Sequence, residues 1–286
     1  MTGERYVHAV HTWMFGARPL PLILKDLDAV GFAADLSLFD HGYATPEEVL
    51  RRKRAGELLG NIPVCTAMFS GRELDLSNPE LTRRKHTLAF AWRCMDAAAE
   101  LGCDRMLVSP SGITTGHAYW ESRERDWETA VQSLREIGLY AGERGLRLMI
   151  EPINRYRVAL VHTVDEALRM AEETGLENVG VVADVFHMCM EETEGVEKAI
   201  ERCGNKLLCL HIGGQTRQVP GRDCLDWRSV LAALDRIGYS GVLSYEPVKL
   251  YFEEARVAEE TAYREAFLKD LRDAKGYLEN IATAKS

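Results

Sequence analysis

Short apolar runs and longer amphipathic stretches alternate along the whole chain. Runs at residues 6–13, 32–39, 62–68, 105–108, 146–151, 179–184, 207–211 and 242–246 are dense in aliphatic and other apolar residues and predict strands. Between them the apolar positions recur with helical spacing over about 20–30, 46–59, 79–101, 125–144, 164–174, 193–203 and 227–237, and a long closing helix is expected over about 253–281. Gly31, Gly60, Gly102, Gly145, Gly175, Gly204 and Gly238 each follow a helical stretch and stand shortly before a strand, where glycine commonly stops a helix. Thr45-Pro46 and Asn78-Pro79 offer a helix N-cap followed by proline at the first helical position. Eight strand-then-helix units predict an α/β fold, a (β/α)₈ TIM barrel forming a single domain over residues 1–286. An open doubly wound sheet would alternate in the same way. No G-x-G-x-x-G follows the first strand to favour a dinucleotide-binding version of it.

Charge narrows the possible partners. The chain has 35 basic and 44 acidic residues, a net charge of −9, which speaks against nucleic acid because sequence-independent affinity for it comes from Lys and Arg. A small polar molecule fits better. The seven cysteines show no Cys-x-x-Cys spacing and several sit inside apolar runs, the pattern of reduced thiols in a cytoplasmic protein. No apolar stretch reaches the roughly 18 residues needed to span a bilayer, and the first residues do not read as a secretion signal, so no membrane association is expected.

Four of the strand-like runs end in a residue able to bind a cation: Glu151, Asp184, His211 and Glu246, spaced 33, 27 and 35 residues apart. Each interval is about one strand-plus-helix unit. In a parallel barrel all four would therefore reach the end where active sites are built. Taken singly, an acid at a strand end is a helix cap or an arginine partner, and a histidine in an apolar run is a core residue. Taken together they favour a shared ion, because three carboxylates at one barrel mouth repel one another without a counter-charge. Oxygen-rich ligands suit Mn²⁺, with Co²⁺ or Mg²⁺ as alternatives, better than a sulfur-rich zinc cage.

The surrounding words, Glu151-Pro-Ile-Asn-Arg-Tyr, Asp184-Val-Phe-His187-Met, His211-Ile-Gly-Gly-Gln-Thr-Arg217 and Tyr245-Glu246-Pro, resemble the sugar phosphate isomerase/epimerase superfamily, the xylose isomerase-like barrels, and within it the ketose 3-epimerases. The resemblance spans essentially the whole chain. It implies one divalent ion held by Glu151, Asp184, His211 and Glu246 and chelating the oxygens of a sugar substrate. Glu151 and Glu246 would then be the catalytic pair, moving a proton through a planar enediolate. It also implies that His187 bonds the carbonyl-side oxygen and that Arg217 closes over the substrate from a Gly/Pro-bounded loop. Trp13 and Trp120 are candidate sugar contacts, and Phe15, Met68, Phe69 and Phe186 are further wall candidates, most of them expected to be core or rim. His8, His11, His41, His86, His117 and His162 have no comparable context and read as structural or surface residues.

Two positions depart from the ketose 3-epimerase pattern. Arg157 stands where that group has a glutamate, and Gly213-Gly214 replaces an acid after His211. Arg157 is therefore a candidate substrate contact for a modified sugar. The expected activity is a divalent-metal-dependent sugar epimerase or isomerase, with ketose 3-epimerisation first. The alternative keeps the same chemistry on a modified sugar, such as a hydroxy-ketone or inosose isomerase or a lyase on a 3-keto glycoside. An apurinic-site endonuclease would need more histidine ligands from earlier strands, yet the fourth strand ends in Ser109-Pro-Ser-Gly. A non-catalytic binding barrel is the remaining class. A homo-oligomer is expected, with a different partner subunit left open.

Overall fold

The computed structural model describes residues 5–114, 118–248 and 254–283. His117, read as structural or surface, and Glu253, the expected start of the closing helix, lie outside the described residues. Eight parallel strands close into a barrel in chain order: β1 (Val7–His11), β2 (Ala33–Leu38), β3 (Val64–Ala67), β4 (Arg105–Val108), β5 (Arg147–Ile150), β6 (Val179–Asp184), β7 (Leu207–Ile212) and β8 (Val242–Tyr245), the last pairing back with β1. The expected TIM barrel is the observed fold.

Helices α1 (Leu20–Asp28), α2 (Pro46–Arg54), α3 (Leu81–Leu101), α4 (Arg123–Gly142), α5 (Val164–Glu173), α7 (Val196–Cys203) and α8 (Trp227–Arg236) connect successive strands. The short α6 (Val185–Glu191) precedes α7, and α9 (Glu254–Glu259) and α10 (Thr261–Thr283) follow β8. The expected closing helix is thus two helices. Thr45 caps α2 as expected, its hydroxyl accepting from Glu48 N at 3.3 Å. Asn78 does not cap α3. Its side chain accepts from Glu80 N at 2.9 Å, which closes a turn ahead of the helix, and α3 begins at Leu81 rather than Pro79. At the other end of α3, Gly102 takes φ +83°, a conformation any side chain would strain.

Two apolar layers surround the strands. Outward-facing residues pack with the helices into one large core that includes Leu36, Met106, Leu148, Val181 and Leu243. Inward-facing Ala9, Ala33, Val64, Leu107, Met149, Val182, Cys209 and Val242 plug the barrel. Above this plug the interior turns polar. Register sets His11 beside Asp35, Asp184 beside His211, and His211 beside Ser244. Side chains that share a register share a height, so the polar layer collects at the C-terminal mouth.

The loops after β3 and β4 are zipped together there. Ser70 bridges Ile113, with Gly71 N donating to Ile113 O and Ile113 N to Phe69 O, both at 3.0 Å. The join depends on Gly112, since a Cβ there would lie 2.0 Å from Gly71 O. Gly112→Ala is therefore expected to lower stability by about 1–3 kcal/mol, read as a lower urea midpoint at unchanged slope. An unchanged midpoint would mean that the two loops part at no cost.

Candidate active site

Glu151 directly follows β5, Asp184 and His211 lie at the ends of β6 and β7, and Glu246 follows β8, so the barrel aims all four at one mouth. Donor atoms of Glu151, Asp184 and His211 lie within 4.8 Å of one another, and all three residues are buried. His211 Nδ1 is 3.2 Å from Glu151 Oε1 and 3.9 Å from Asp184 Oδ2, without the alignment of a hydrogen bond to either. Donors around a small divalent ion at about 2.1 Å sit about 3 Å apart, so the three residues suit such an ion in spacing and chemistry.

Glu246 joins through Arg217. The guanidinium Nη1 donates to Glu246 Oε2 and to Asp184 Oδ2, both at 2.8 Å, and the guanidinium lies over the Phe186 ring, 4.4 Å from its centroid. Trp13 Nε1 donates to the other Glu246 oxygen, Oε1, at 3.1 Å. Burial works to raise the Glu246 carboxyl, but Arg217 and the imidazoles of His11 and His211 outweigh it and hold it far below the ordinary carboxylate range. Arg217 is itself in a left-handed conformation, φ +53°, closing a turn in which its N–H donates to Gly214 O at 2.7 Å. At Gly214, one of the two glycines that stand where the ketose 3-epimerase pattern has an acid, glycine has a steric reason. A Cβ on Gly214 would collide with the Asp223 carboxylate at 1.2 Å.

His187, in α6, is buried beside Asn154, with Nδ1 2.8 Å from Asn154 Nδ2. Burial pushes its imidazole below the usual value; Asp184 pulls the other way and Arg217 adds to the depression. Glu151, Glu246, His187, Arg217, Trp13 and Arg157 all line a cavity of about 540 Å³, with Met68, Ile113, Ile153, Phe186 and Met190 forming an apolar side. Arg157 is exposed on its rim. Trp120 is not among the lining residues. Its indole N–H donates to Asp75 at 3.1 Å and its ring lies under Arg72. Phe15 and Phe69 are fully buried core.

Sequence reasoning missed the layer beneath. His11, read as structural or surface, has Nε2 3.3 Å from His211 Nε2 and 3.3 Å from Asp35 Oδ2. Fully buried Asp35 also accepts from Thr66 Oγ1 at 2.8 Å and Ser244 Oγ at 2.9 Å. Both residues carried a signal, an ionisable side chain inside a largely apolar strand run. Glu191 is a second omission. Its buried carboxylate accepts from Arg155 N at 2.8 Å and from the Arg155 guanidinium at 2.6 Å, which ties the segment after β5 to α6.

The family described as "Xylose isomerase-like TIM barrel" matches residues 25–271. The chain belongs to that family. It is 34% identical over 253 residues to the D-psicose 3-epimerase of Enterocloster bolteae, an alignment covering 83% of this chain and 80% of that protein. It is 28% identical over 169 residues to the 3-dehydro-D-guloside 4-epimerase of Escherichia coli K12, covering 57% of this chain and 64% of that protein. Among solved structures, D-psicose 3-epimerase with D-tagatose from Clostridium cellulolyticum H10 superposes with a TM-score of 0.79 at 22% identity, covering 96% and 99% of the two chains. At that identity the structural likeness speaks for the barrel alone. It agrees with the family assignment.

The Glu191 clamp generates a pH prediction. Burial opposes the charged form of Glu191, but the Arg155 hydrogen bonds and charge prevail and lower its folded-state pKa. Such a group stabilises the fold fully above its unfolded value of about 4.3 and loses that contribution as pH falls through the lower folded value. Glu191→Gln is therefore expected to cost about 1–3 kcal/mol at pH 7 and to show a shallower loss of stability below pH about 4.3 than the parent. Parallel acid limbs in chemical denaturation would contradict the clamp.

Proposed function

We propose that this protein is a divalent-metal-dependent sugar epimerase working beside a ketose carbonyl, with 3-epimerisation as its reaction. The observation that carries the reading is the pair of carboxylates facing one cavity. Glu151 and Glu246 line it from β5 and β8, with the Asp184 and His211 strands between them. Similarity to the D-psicose 3-epimerase of Enterocloster bolteae supports the reaction class.

Glu151, Asp184, His211 and Glu246 would hold the ion, Mn²⁺ by the oxygen-rich donor set, with Co²⁺ or Mg²⁺ as alternatives. When bound, the ion supplies Lewis-acid stabilisation of negative charge on the substrate's carbonyl and neighbouring oxygens. The chain's own residues do the rest. One glutamate takes the proton from the carbon next to the carbonyl, leaving a planar enediol(ate), and the other returns a proton to the opposite face. Arg217 and the neighbouring imidazoles keep Glu246 ionised, the form in which a carboxylate can accept a proton. His187 and Arg217 offer hydrogen-bond donors to substrate oxygens, and the Trp13 indole holds Glu246 in place. The apolar side chains lining the cavity would limit water around the reacting carbon.

A second reading, the same proton transfer on a modified keto sugar, is favoured by Arg157. A rim guanidinium provides donors where the ketose 3-epimerase pattern has an acceptor, and suits a carboxylate or another acceptor-rich group. The guloside epimerase among the relatives is consistent with it.

Both readings are tested with one panel of ketohexoses, pentuloses and acidic or glycosylated keto sugars, assayed after chelation and again with added Mn²⁺. Activity is expected to vanish on chelation and return with the ion. Glu151→Gln and Glu246→Gln are each expected to lower turnover by roughly 10²- to 10⁴-fold in folded protein. Near-normal turnover in either variant would remove that glutamate from proton transfer, and full activity in metal-stripped protein would remove the ion. A kcat/KM ranking led by acidic or glycosylated sugars would decide for the second reading.

A further inference from the structure

The segment after β5 and the helix α6 behave as one block. Arg155 is held through its backbone N–H and its guanidinium by Glu191, one turn along α6 from His187. Asn154 is 3% exposed and His187 5%, so solvent does not compete for the hydrogen bond between them. The direction of that bond follows from what else Asn154 does. Its Oδ1 accepts from Tyr156 N at 3.1 Å, which turns its Nδ2, a donor only, toward His187 Nδ1 at 2.8 Å. A neutral imidazole has one nitrogen lone pair and one N–H. If Nδ1 accepts from Asn154, the proton sits on Nε2.

On the cavity side Arg217 competes for the opposite tautomer. Arg217 Nη2 stands 3.4 Å from His187 Nε2, but a guanidinium only donates and the ring's lone pair is already taken at the shorter distance. Asp184 Oδ2, at 3.7 Å, is too far to accept from Nε2. The Nε2–H is thus directed into the cavity, toward whatever acceptor enters. The competing arrangement, with the Asn154 amide reversed and Arg217 donating to Nε2, would set an NH₂ group against the Tyr156 N–H.

We propose that Asn154 is a positioning residue that fixes His187 as the neutral tautomer protonated on Nε2, so that the ring presents an N–H and no lone pair to the substrate. On the epimerase reading, on which the identity of the acceptor rests, that N–H meets a substrate oxygen. His187 can then stabilise negative charge developing on that oxygen, and it cannot act as a general base. The division of labour follows: proton removal belongs to the glutamates, and His187 serves as a fixed electrostatic contact.

Two-bond ¹⁵N–¹H correlation spectra of protein labelled with ¹⁵N-histidine, recorded metal-free and with diamagnetic Mg²⁺, read the tautomer directly. The His187 signals are identified by their loss in His187→Gln. The wild-type ring is expected to show an unprotonated Nδ1 and a protonated Nε2. In Asn154→Asp the carboxylate can still accept from Tyr156 N but only accepts from the ring, so the proton is expected to move to Nδ1. In Asn154→Ala the preference is expected to weaken. Turnover of the best panel substrate should fall roughly ten- to a hundredfold in Asn154→Asp, the loss expected for one donor to a charged oxygen. A wild-type ring protonated on Nδ1, or a tautomer unchanged by Asn154→Asp in folded protein, would overturn the proposal. Should the aspartate variant fail to fold, the wild-type spectrum alone decides. Failure to turn over any sugar would count against the epimerase reading while leaving the spectrum to judge the tautomer.

Discussion

Repulsion among Glu151, Asp184 and Glu246 is the constraint around which the mouth of this barrel is organised. Bringing like charges together in a poorly solvated site is costly unless positive charge is supplied at the same place. The structure supplies part of it through Arg217, which reaches Asp184 and Glu246 with one nitrogen. Glu151 faces His211 instead, whose imidazole is buried yet held well above its ordinary pKa by Cys209 and Glu151 beside it. The proposed divalent ion would neutralise the same carboxylates more fully. The residues that balance the charge therefore stand beside those that would carry the chemistry.

This concentration of charge rests on a graded interior. The apolar plug of small and branched side chains gives the barrel its packing, and the polar layer of His11, Asp35, Thr66 and Ser244 lies between that plug and the site. Asp35 could not be buried there without the hydroxyls of Thr66 and Ser244 that donate to it and the His11 imidazole beside it. His11 in turn places a nitrogen 3.3 Å from the far nitrogen of His211. On the rim, the Arg155–Glu191 and Asn154–His187 contacts hold the segment after β5 against α6. Rigid side chains pointing at a fixed cavity are what proton transfer between two glutamates requires.

Much of this was legible in the chain because strands announce themselves in a parallel barrel. Strands buried on both faces read as continuous apolar runs, and the cation-binding residues stand out where those runs end. The boundaries were less legible. The run at 6–13 extends beyond β1, because Thr12 to Phe15 is apolar enough to continue a strand yet coils into a 3₁₀ turn. The expected helix 46–59 ends at Arg54, since nothing in the pattern distinguishes a frayed last turn from a helical one. Asn78-Pro79 carried a correct local signal for a turn that was assigned to the wrong residue of it. Trp120 was misjudged, and the neighbours of His11 went unseen, for the same reason. Their partners, His211 and Asp75, are distant in sequence, and only the closed barrel and its loops reveal them.

The central claim is that two glutamates exchange protons with solvent on opposite faces of one substrate carbon. The most direct measurement is NMR of a keto-sugar panel incubated with the Mn²⁺-supplemented protein in D₂O. The account predicts that one sugar is converted to an epimer carrying solvent deuterium at the carbon next to its carbonyl. An epimer that retains its original hydrogen, or no deuterium at any carbon of any sugar, would contradict it.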